Sequence, residues 1–383
     1  MSMATHHDVI VIGAGVLGLG SAWRLAQHGQ RVLVLERNDQ AAREASWASA
    51  GMIGAQSEAL DDDAYFAATL ASRDRWGAFA AGLQQASGLP LGYHPGGCIH
   101  LAYGASFERR LDAKYLWQKR RAGTVTRFDG DAMRQRWPLL GPRVSCAYFA
   151  DGDQWVDNEL LGPALVQACL AAGAQVACGV EVAGLERAGG RWLVTAADGR
   201  RFEAAQVLLA AGAWAAGLAA QLLPQAKVLQ CFPVKGQMLE LKVPLGLLPD
   251  VPVHAENVYL VPRGQDRLLV GATVETVGFD KRITAEGLEY LLQNLFETAP
   301  DLRPCEVTRT WAGLRPGSPD GWPVLGPGPI EGLHFALGAY RRGILLAPLA
   351  ADAAAASVLG LPLPAEAKAF AFERPTAPAP AAA

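Results

Sequence analysis

No two of the six cysteines, at positions 98, 146, 169, 178, 231 and 305, stand in CxxC spacing. That excludes the usual zinc knuckle and the thioredoxin-type dithiol. It leaves buried or half-buried free thiols in a reducing compartment as the expectation. None of the seven histidines belongs to an HExxH pair, and the adjacent His6 and His7 read as a frayed terminus, so no metal is expected. Charge of one sign is missing too: 34 Lys and Arg face 37 Asp and Glu, a balance of −3. Such a surface gives no electrostatic footprint for nucleic acid or an anionic membrane. No Lys or Arg precedes the first apolar run, so a signal peptide is not expected. The most membrane-like stretch, between Glu203 and Lys227, is interrupted by Gln206, Gly212, Gln221 and Pro224. It reads as a short strand, a turn and a helix, not as a membrane span.

What is present is the composition of a globular chain: 51% hydrophobic and 19% charged residues, with 42 glycines and 24 prolines for tight turns. Its 383 residues allow two or three domains. Residues 8–13 (DVIVIG) are a β-branched run too short for a helix and typical of a buried parallel strand. Val16 to His28 then reads as a helix capped by Gly29, and Arg31 to Glu36 as a second strand, together a βαβ unit. Residues 60–140 look mainly helical. Strand character returns at Gln175–Val182, around the Asp198-Gly199 turn, as a strand pair between Val228 and Leu241, and in a hairpin over 258–274. Leu288, Leu291, Leu292, Leu295 and Phe296 share one face of a helix from Thr284 to Ala299. A last helix runs from Ile344 to Leu359.

Strands interleave with helices at both ends of the chain, while the middle holds an antiparallel set. The expected fold is therefore α/β, or α+β in two domains. A discontinuous Rossmann-like domain would comprise residues 1–85, 145–225 and 320–365. An antiparallel-sheet substrate domain would take 86–144 and 226–319, and residues 366–383, rich in Pro and Ala, would be a disordered tail.

Gly13, Gly15 and Gly18 spell GxGxxG, and their setting makes the motif specific. A buried strand ends at Gly13, a helix opens at Val16, and the acidic Glu36 closes the next strand. Gly13 permits the tight turn, Gly15 admits a pyrophosphate to bare backbone, and Gly18 lets helix and strand pack. The helix N-terminus offers N–H donors to phosphate, and Glu36 can accept ribose hydroxyls. No second such motif opens a helix elsewhere. With one dinucleotide site the substrate itself must reduce a flavin, which favours FAD over a nicotinamide cofactor. The segment Gly338-Ala339-Tyr340-Arg341-Arg342-Gly343, leading into the last helix, supports FAD, because a helix N-terminus stabilises the negative edge of a reduced flavin.

These segments carry a recognisable pattern. VIVIGAGVLG (9–18), ASAGMIGAQSE (48–58), PVKGQ (233–237), VYLVPR (258–263), WAGLRPGSPDGWPVLG (311–326) and YRRGILLAP (340–348) together resemble the D-amino acid oxidase family of FAD enzymes. Within it they are most similar to the glycine oxidase branch of thiamine biosynthesis, over residues 8–360. The resemblance implies FAD on Val16 and Leu17, Glu36 and Arg37, Ala45 and Ser46, Ala50, Gly51 and Met52. It adds Val182 and the run Ala339, Tyr340, Arg341, Arg342, Gly343, Ile344 and Leu345. For substrate it implicates Gly54, Tyr259, Arg315 and Arg341.

The residue types suit oxidative deamination of glycine or a similarly small amino acid such as sarcosine or D-alanine. A guanidinium such as Arg315 can hold a carboxylate bidentately while a Tyr259 hydroxyl donates to it. Hydride would leave Cα for the flavin, dioxygen would reoxidise it with release of peroxide, and water would hydrolyse the imine to an oxo acid and ammonia. Ala339 and Arg342 depart from the family's usual histidine and asparagine, Val274 from a pocket methionine, and Asn257 from a histidine. Ser318 stands near the position where related enzymes that hold flavin covalently use cysteine, so FAD is expected to be non-covalent. Lys235 in PVKGQ could steer oxygen or pair with the flavin, or could be a strand-edge lysine. The rival readings are a dehydrogenase passing electrons to a quinone or partner subunit, a non-catalytic flavin-holding subunit, and a regulatory NAD-binding module. Partners are expected to be a small amino acid and dioxygen, with no nucleic acid and no membrane. With no signal peptide or span read from the sequence, the cytoplasm is the expected compartment, and the resemblance suggests a homotetramer.

Overall fold

The computed structural model describes residues 6–121 and 123–374. Strand β1 (His7–Ile12) is buried nearly throughout and lies parallel to β2 (Val32–Leu35), all four of whose residues are buried. Such apolar strands need cover on both faces. Helix α1 (Val16–Gln27) gives it on one side, and the helix Gly343–Val358 packs against α1 through small residues. Gly20 there lies so close to Ala351 that an added Cβ would touch it at 3.8 Å. The first and last parts of the chain therefore share one core.

The first eight-stranded sheet runs Val324–Pro327, Leu333–Leu337, Arg201–Leu209, β1, β2 and Gln175–Ala177. Val182–Ala188 and Arg191–Ala196 form an antiparallel extension. The second eight-stranded sheet runs Glu306–Gly317, Phe232–Lys242, Arg267–Gly271, Tyr259–Arg263, Val253–His254, Cys98–Ala102, Cys146–Ala150 and Val125–Asp129. Its neighbours are antiparallel except Val253–His254 on Cys98–Ala102. The α/β architecture with a separate, largely antiparallel sheet is as the sequence suggests.

Several expectations need correction. Cys146–Ala150, assigned to the dinucleotide-binding part by its 145–225 boundary, is hydrogen-bonded inside the second sheet, between Cys98–Ala102 and Val125–Asp129. Those two strands also interrupt the helical reading of 60–140. The region after Val228 forms no local strand pair; Phe232–Lys242 pairs along its whole length with the distant Glu306–Gly317. His7 is not frayed but opens β1 and is buried, and Cys178 is exposed.

The tail reading fails for residues 366–374. Ala365–Phe370 is a 3₁₀ helix, and Phe370 is fully buried against Tyr65 and Trp322 with ring centroids 5.1 and 5.8 Å away. Arg374 pairs with Asp320 at 2.9 Å, both side chains nearly inaccessible. Aromatic anchors in AFAFE outweigh a Pro/Ala composition. Residues 375–383 lie outside the described part. Among the described residues, no helix is long and apolar enough to cross a membrane.

Candidate active site

A cavity of about 450 Å³ opens between the two sheets, with walls from both. Its first end is the turn after β1. Gly13 has φ +103°, and a Cβ there would lie 2.5 Å from the Ala210 carbonyl oxygen. Only glycine makes that turn without strain. At Gly18 a Cβ would come within 2.0 Å of the Gly13 carbonyl oxygen, so Gly18 is packing between helix and strand and not cavity lining. Gly15, extended and without a side-chain cap, precedes the helix and leaves its first turn open to an anion.

Glu36 closes this end. Its carboxylate accepts from the Ala14 amide at 2.8 Å and the Asn38 amide at 3.0 Å, which fixes it while lone pairs remain for hydroxyls. Beyond it, the Arg37 guanidinium lies 3.9 Å from the ring centre of Trp214, which stacks in turn on Phe279. Ser46 accepts from the Val16 amide at 2.9 Å. Replacing Glu36 with alanine is expected to free two backbone donors and remove the hydroxyl acceptor. Cofactor affinity should fall by roughly 10- to 100-fold, at about 1.4 kcal/mol per tenfold. Fluorescence of flavin released on dilution measures this directly.

The second end is built on the sheet that carries Tyr259 and Arg315. Arg315 Nη1 donates to the carbonyls of Lys235 (3.2 Å) and Thr273 (3.1 Å), and Nη2 donates to no group among the described residues. Its guanidinium lies flat on Gly236, where a Cβ would meet Nη2 at 2.4 Å, and the Tyr259 ring lies on Gly271 in the same way at 2.6 Å. Tyr259 donates to Met238 Sδ at 3.5 Å. Burial pushes its phenol above the usual range against the pull of Arg315 and Arg341, so it stays a neutral donor. Arg341 is exposed, without ion pair or hydrogen bond among the described residues, and lines the cavity. His254, paired across from Tyr259, is half-buried, and neither of its ring nitrogens has a hydrogen-bond partner among the described residues. Burial, then Arg341 and Lys114, hold it down to about 3, so it is neutral.

Of the residues singled out from sequence, the cavity brings together Gly13, Gly15, Val16, Leu17, Glu36, Arg37, Ala45, Ser46, Ala50, Gly51, Met52 and Val182. It adds Ala339, Tyr340, Arg341, Gly343 and Ile344, with Tyr259 and Arg315 on the opposite wall. Gly54, Arg342 and Leu345 lie outside the lining. A Cβ on Gly54 would strike Ser57 Oγ at 2.4 Å, which explains glycine there by packing. Arg342 donates to the Glu58 carbonyl and sits 4.4 Å from the Tyr65 ring centre, and the buried Leu345 offers its carbonyl to Ser72 and Trp76. Val274 is 54% exposed and, like Asn257, off the lining; Ala339 is on it. Ser318 turns its hydroxyl to the Trp322 carbonyl at 2.9 Å. Lys235 is neither free nor at an edge: it is buried and paired with Glu275.

Sequence reasoning missed Gly236, Met238, Trp214 and Glu58, which all line the cavity, and Gly271 beneath Tyr259. For the two glycines a signal existed, since glycine inside a strand marks a close approach.

An open glycine turn, a hydroxyl acceptor at the end of β2 and a long cleft meeting a second sheet define a dinucleotide-binding oxidoreductase. The chain belongs to the DAO family, FAD dependent oxidoreductase, whose profile matches residues 8–357. It is 35% identical over 353 residues to the bifunctional protein ThiO/ThiG of Synechocystis, covering 91% of this chain and 51% of that protein. It thus spans about half the length of that relative. It is 34% identical over 352 residues to the glycine oxidase of Geobacillus kaustophilus, covering 91% of each. The crystal structure of glycine oxidase from Geobacillus kaustophilus superposes with TM-score 0.91 at 32% identity, over 97% of this chain and 99% of that one. The protein is an FAD-dependent oxidoreductase. Its glycine turn, Glu36 and the uncapped start of Gly343–Val358 suit that group.

Proposed function

We propose that the chain oxidises glycine, or a similarly small amino acid such as sarcosine or D-alanine, with dioxygen as acceptor. The observation that carries this reading is Arg315 beside Tyr259, each seated on a glycine, on the wall facing the dinucleotide-binding turn. Two donors converge there on a space that suits one carboxylate. FAD, when bound, supplies the acceptor for the hydride leaving Cα. Arg315 and Tyr259 orient the substrate by its carboxylate, with Arg341 as a further cation at the mouth. The assigned cofactor contacts are the lining residues named above. Glycine, dioxygen and water would give glyoxylate, ammonia and hydrogen peroxide. In keeping with the ThiO relatives, the imine would serve the thiazole of thiamine, and the protein would act in the cytoplasm as a homotetramer.

Anaerobic mixing with glycine, sarcosine, D-alanine and D-proline, followed by readmission of air, tests the reading. Bleaching of the flavin bands by glycine and peroxide on reoxidation are expected. Bleaching without peroxide would mean a dehydrogenase, and no bleaching would remove small amino acids as substrates.

The pH profile has a defined sign. Hydride transfer needs the amine lone pair, so kcat/KM should rise with pH as the substrate ammonium deprotonates. Because burial raises the Tyr259 pKa, no falling limb is expected at the ordinary tyrosine value. A flat steady-state profile would contradict this.

A further inference from the structure

Arg315 is held by backbone, and that backbone is itself held by a charge pair whose lysine is buried. The Lys235 carbonyl accepts both Arg315 Nη1 and the Glu275 amide, the latter at 3.0 Å. The Lys235 amide donates back to the Glu275 carbonyl at 2.9 Å. The second carbonyl beneath Arg315, that of Thr273, belongs to a residue fixed twice by Gln237: the Thr273 amide donates to the Gln237 carbonyl at 3.2 Å, and the Gln237 amide to Thr273 Oγ1 at 2.8 Å. One carboxylate ties these together. Glu275 accepts from Lys235 Nζ at 3.1 Å, from Gln237 Nε2 at 2.8 Å and from Thr273 Oγ1. Lys235 is 1% exposed and Glu275 is its ion-pair partner.

We propose that the Lys235–Glu275 pair is a positioning device for substrate carboxylate binding, setting the Lys235 and Thr273 carbonyls that aim Arg315. This rests on the carboxylate-holding role proposed for Arg315. Neither residue touches substrate. Without Glu275 the Lys235 ammonium would be buried and unpaired, a state strongly disfavoured. It would have to turn toward water, displacing its own carbonyl and releasing Thr273. The guanidinium would then lose its fixed aim while its charge stayed in place.

The effect should therefore appear in carboxylate affinity and spare the later steps. For Glu275→Ala as the FAD-loaded enzyme, KM for glycine and the dissociation constant of glycolate should rise about tenfold, equivalent to about 1.4 kcal/mol. Glycolate binding is read from perturbation of the flavin spectrum. The expected kcat stays within about twofold of the parent value. Binding of acetamide, which has no carboxylate, should be unchanged, and Glu275→Asp, which keeps a carboxylate for Lys235, should recover part of the loss. Glu275→Gln, which turns an amide NH2 toward the buried ammonium, should reproduce the alanine result and serves if Glu275→Ala does not fold.

Unchanged glycolate affinity in both Glu275→Ala and Glu275→Gln would overturn the proposal. Equal weakening of glycolate and acetamide would also do so, since that is the mark of a general structural role. Arg315→Lys is measured in parallel. If it binds glycolate like the parent, the carboxylate-holding role of Arg315 fails; if it loses glycolate while both pair variants keep it, only the positioning role fails.

Discussion

Replacing Arg315 with alanine is expected to lower kcat/KM for glycine by about 10²- to 10³-fold, leaving the flavin bound. Removing one partner of a charge-assisted pair in a partly enclosed site costs about 2–5 kcal/mol, and each 1.4 kcal/mol is a factor of ten. Arg315 Nη2 donates to no group among the described residues, so its loss falls on the substrate. The side chain is half-buried and pairs with no acid among the described residues, so folding should be little affected. Steady-state kinetics beside flavin content measure both. Parent-like turnover in a flavin-replete Arg315→Ala protein would remove the central assignment.

Gly236→Ala should produce a loss of similar size without touching a polar group. The new Cβ would lie 2.4–2.7 Å from Nη2, Nη1 and Cζ of Arg315. Those atoms are the mobile end of a long side chain, so they yield and the strand does not. The guanidinium lifts away from the Lys235 and Thr273 carbonyls, and the donor pair it formed with Tyr259 is lost. Glycolate affinity and kcat/KM should fall by about 10²-fold, near 3 kcal/mol at about 1.4 kcal/mol per factor of ten. The melting temperature should shift by a few degrees at most. A parent-like glycolate titration would mean that Arg315 does not work from its seat on Gly236.

The features readable from sequence are those made by neighbours in the chain. The β1 turn, its three glycines and Glu36 lie within 36 residues and obey strand and helix periodicity. The helix Ala285–Thr298 was legible because its apolar face repeats and Thr284 caps it, accepting from the Gly287 amide at 3.1 Å. Arg315 and Tyr259 were named by resemblance; as isolated residues they read more readily as a turn arginine and a core aromatic. What could not be read are pairings between distant segments. Nothing near Phe232–Lys242 reveals that it lies against Glu306–Gly317, and so Lys235 could not be matched with Glu275 nor Gly236 with Arg315. Composition also misled at the C-terminal end, where Phe370 and Arg374 anchor a segment that looks unstructured by its alanines and prolines.

The sharing of one core by the two chain ends bears on the order of synthesis. The glycine turn is complete by Gly18, but the strand Leu333–Leu337 and the helix Gly343–Val358 lie far later in the chain. Until those are made, α1 lacks its packing against Gly343–Val358, and Val207, Leu208 and Leu209 lack a parallel neighbour on their outer side. Contacts of such large sequence separation form late. A prematurely terminated chain therefore carries the motif for the cofactor but not the surface that completes its berth. The berth thus needs the segment around Gly343 in place as well as the glycine turn, since both line the same cavity.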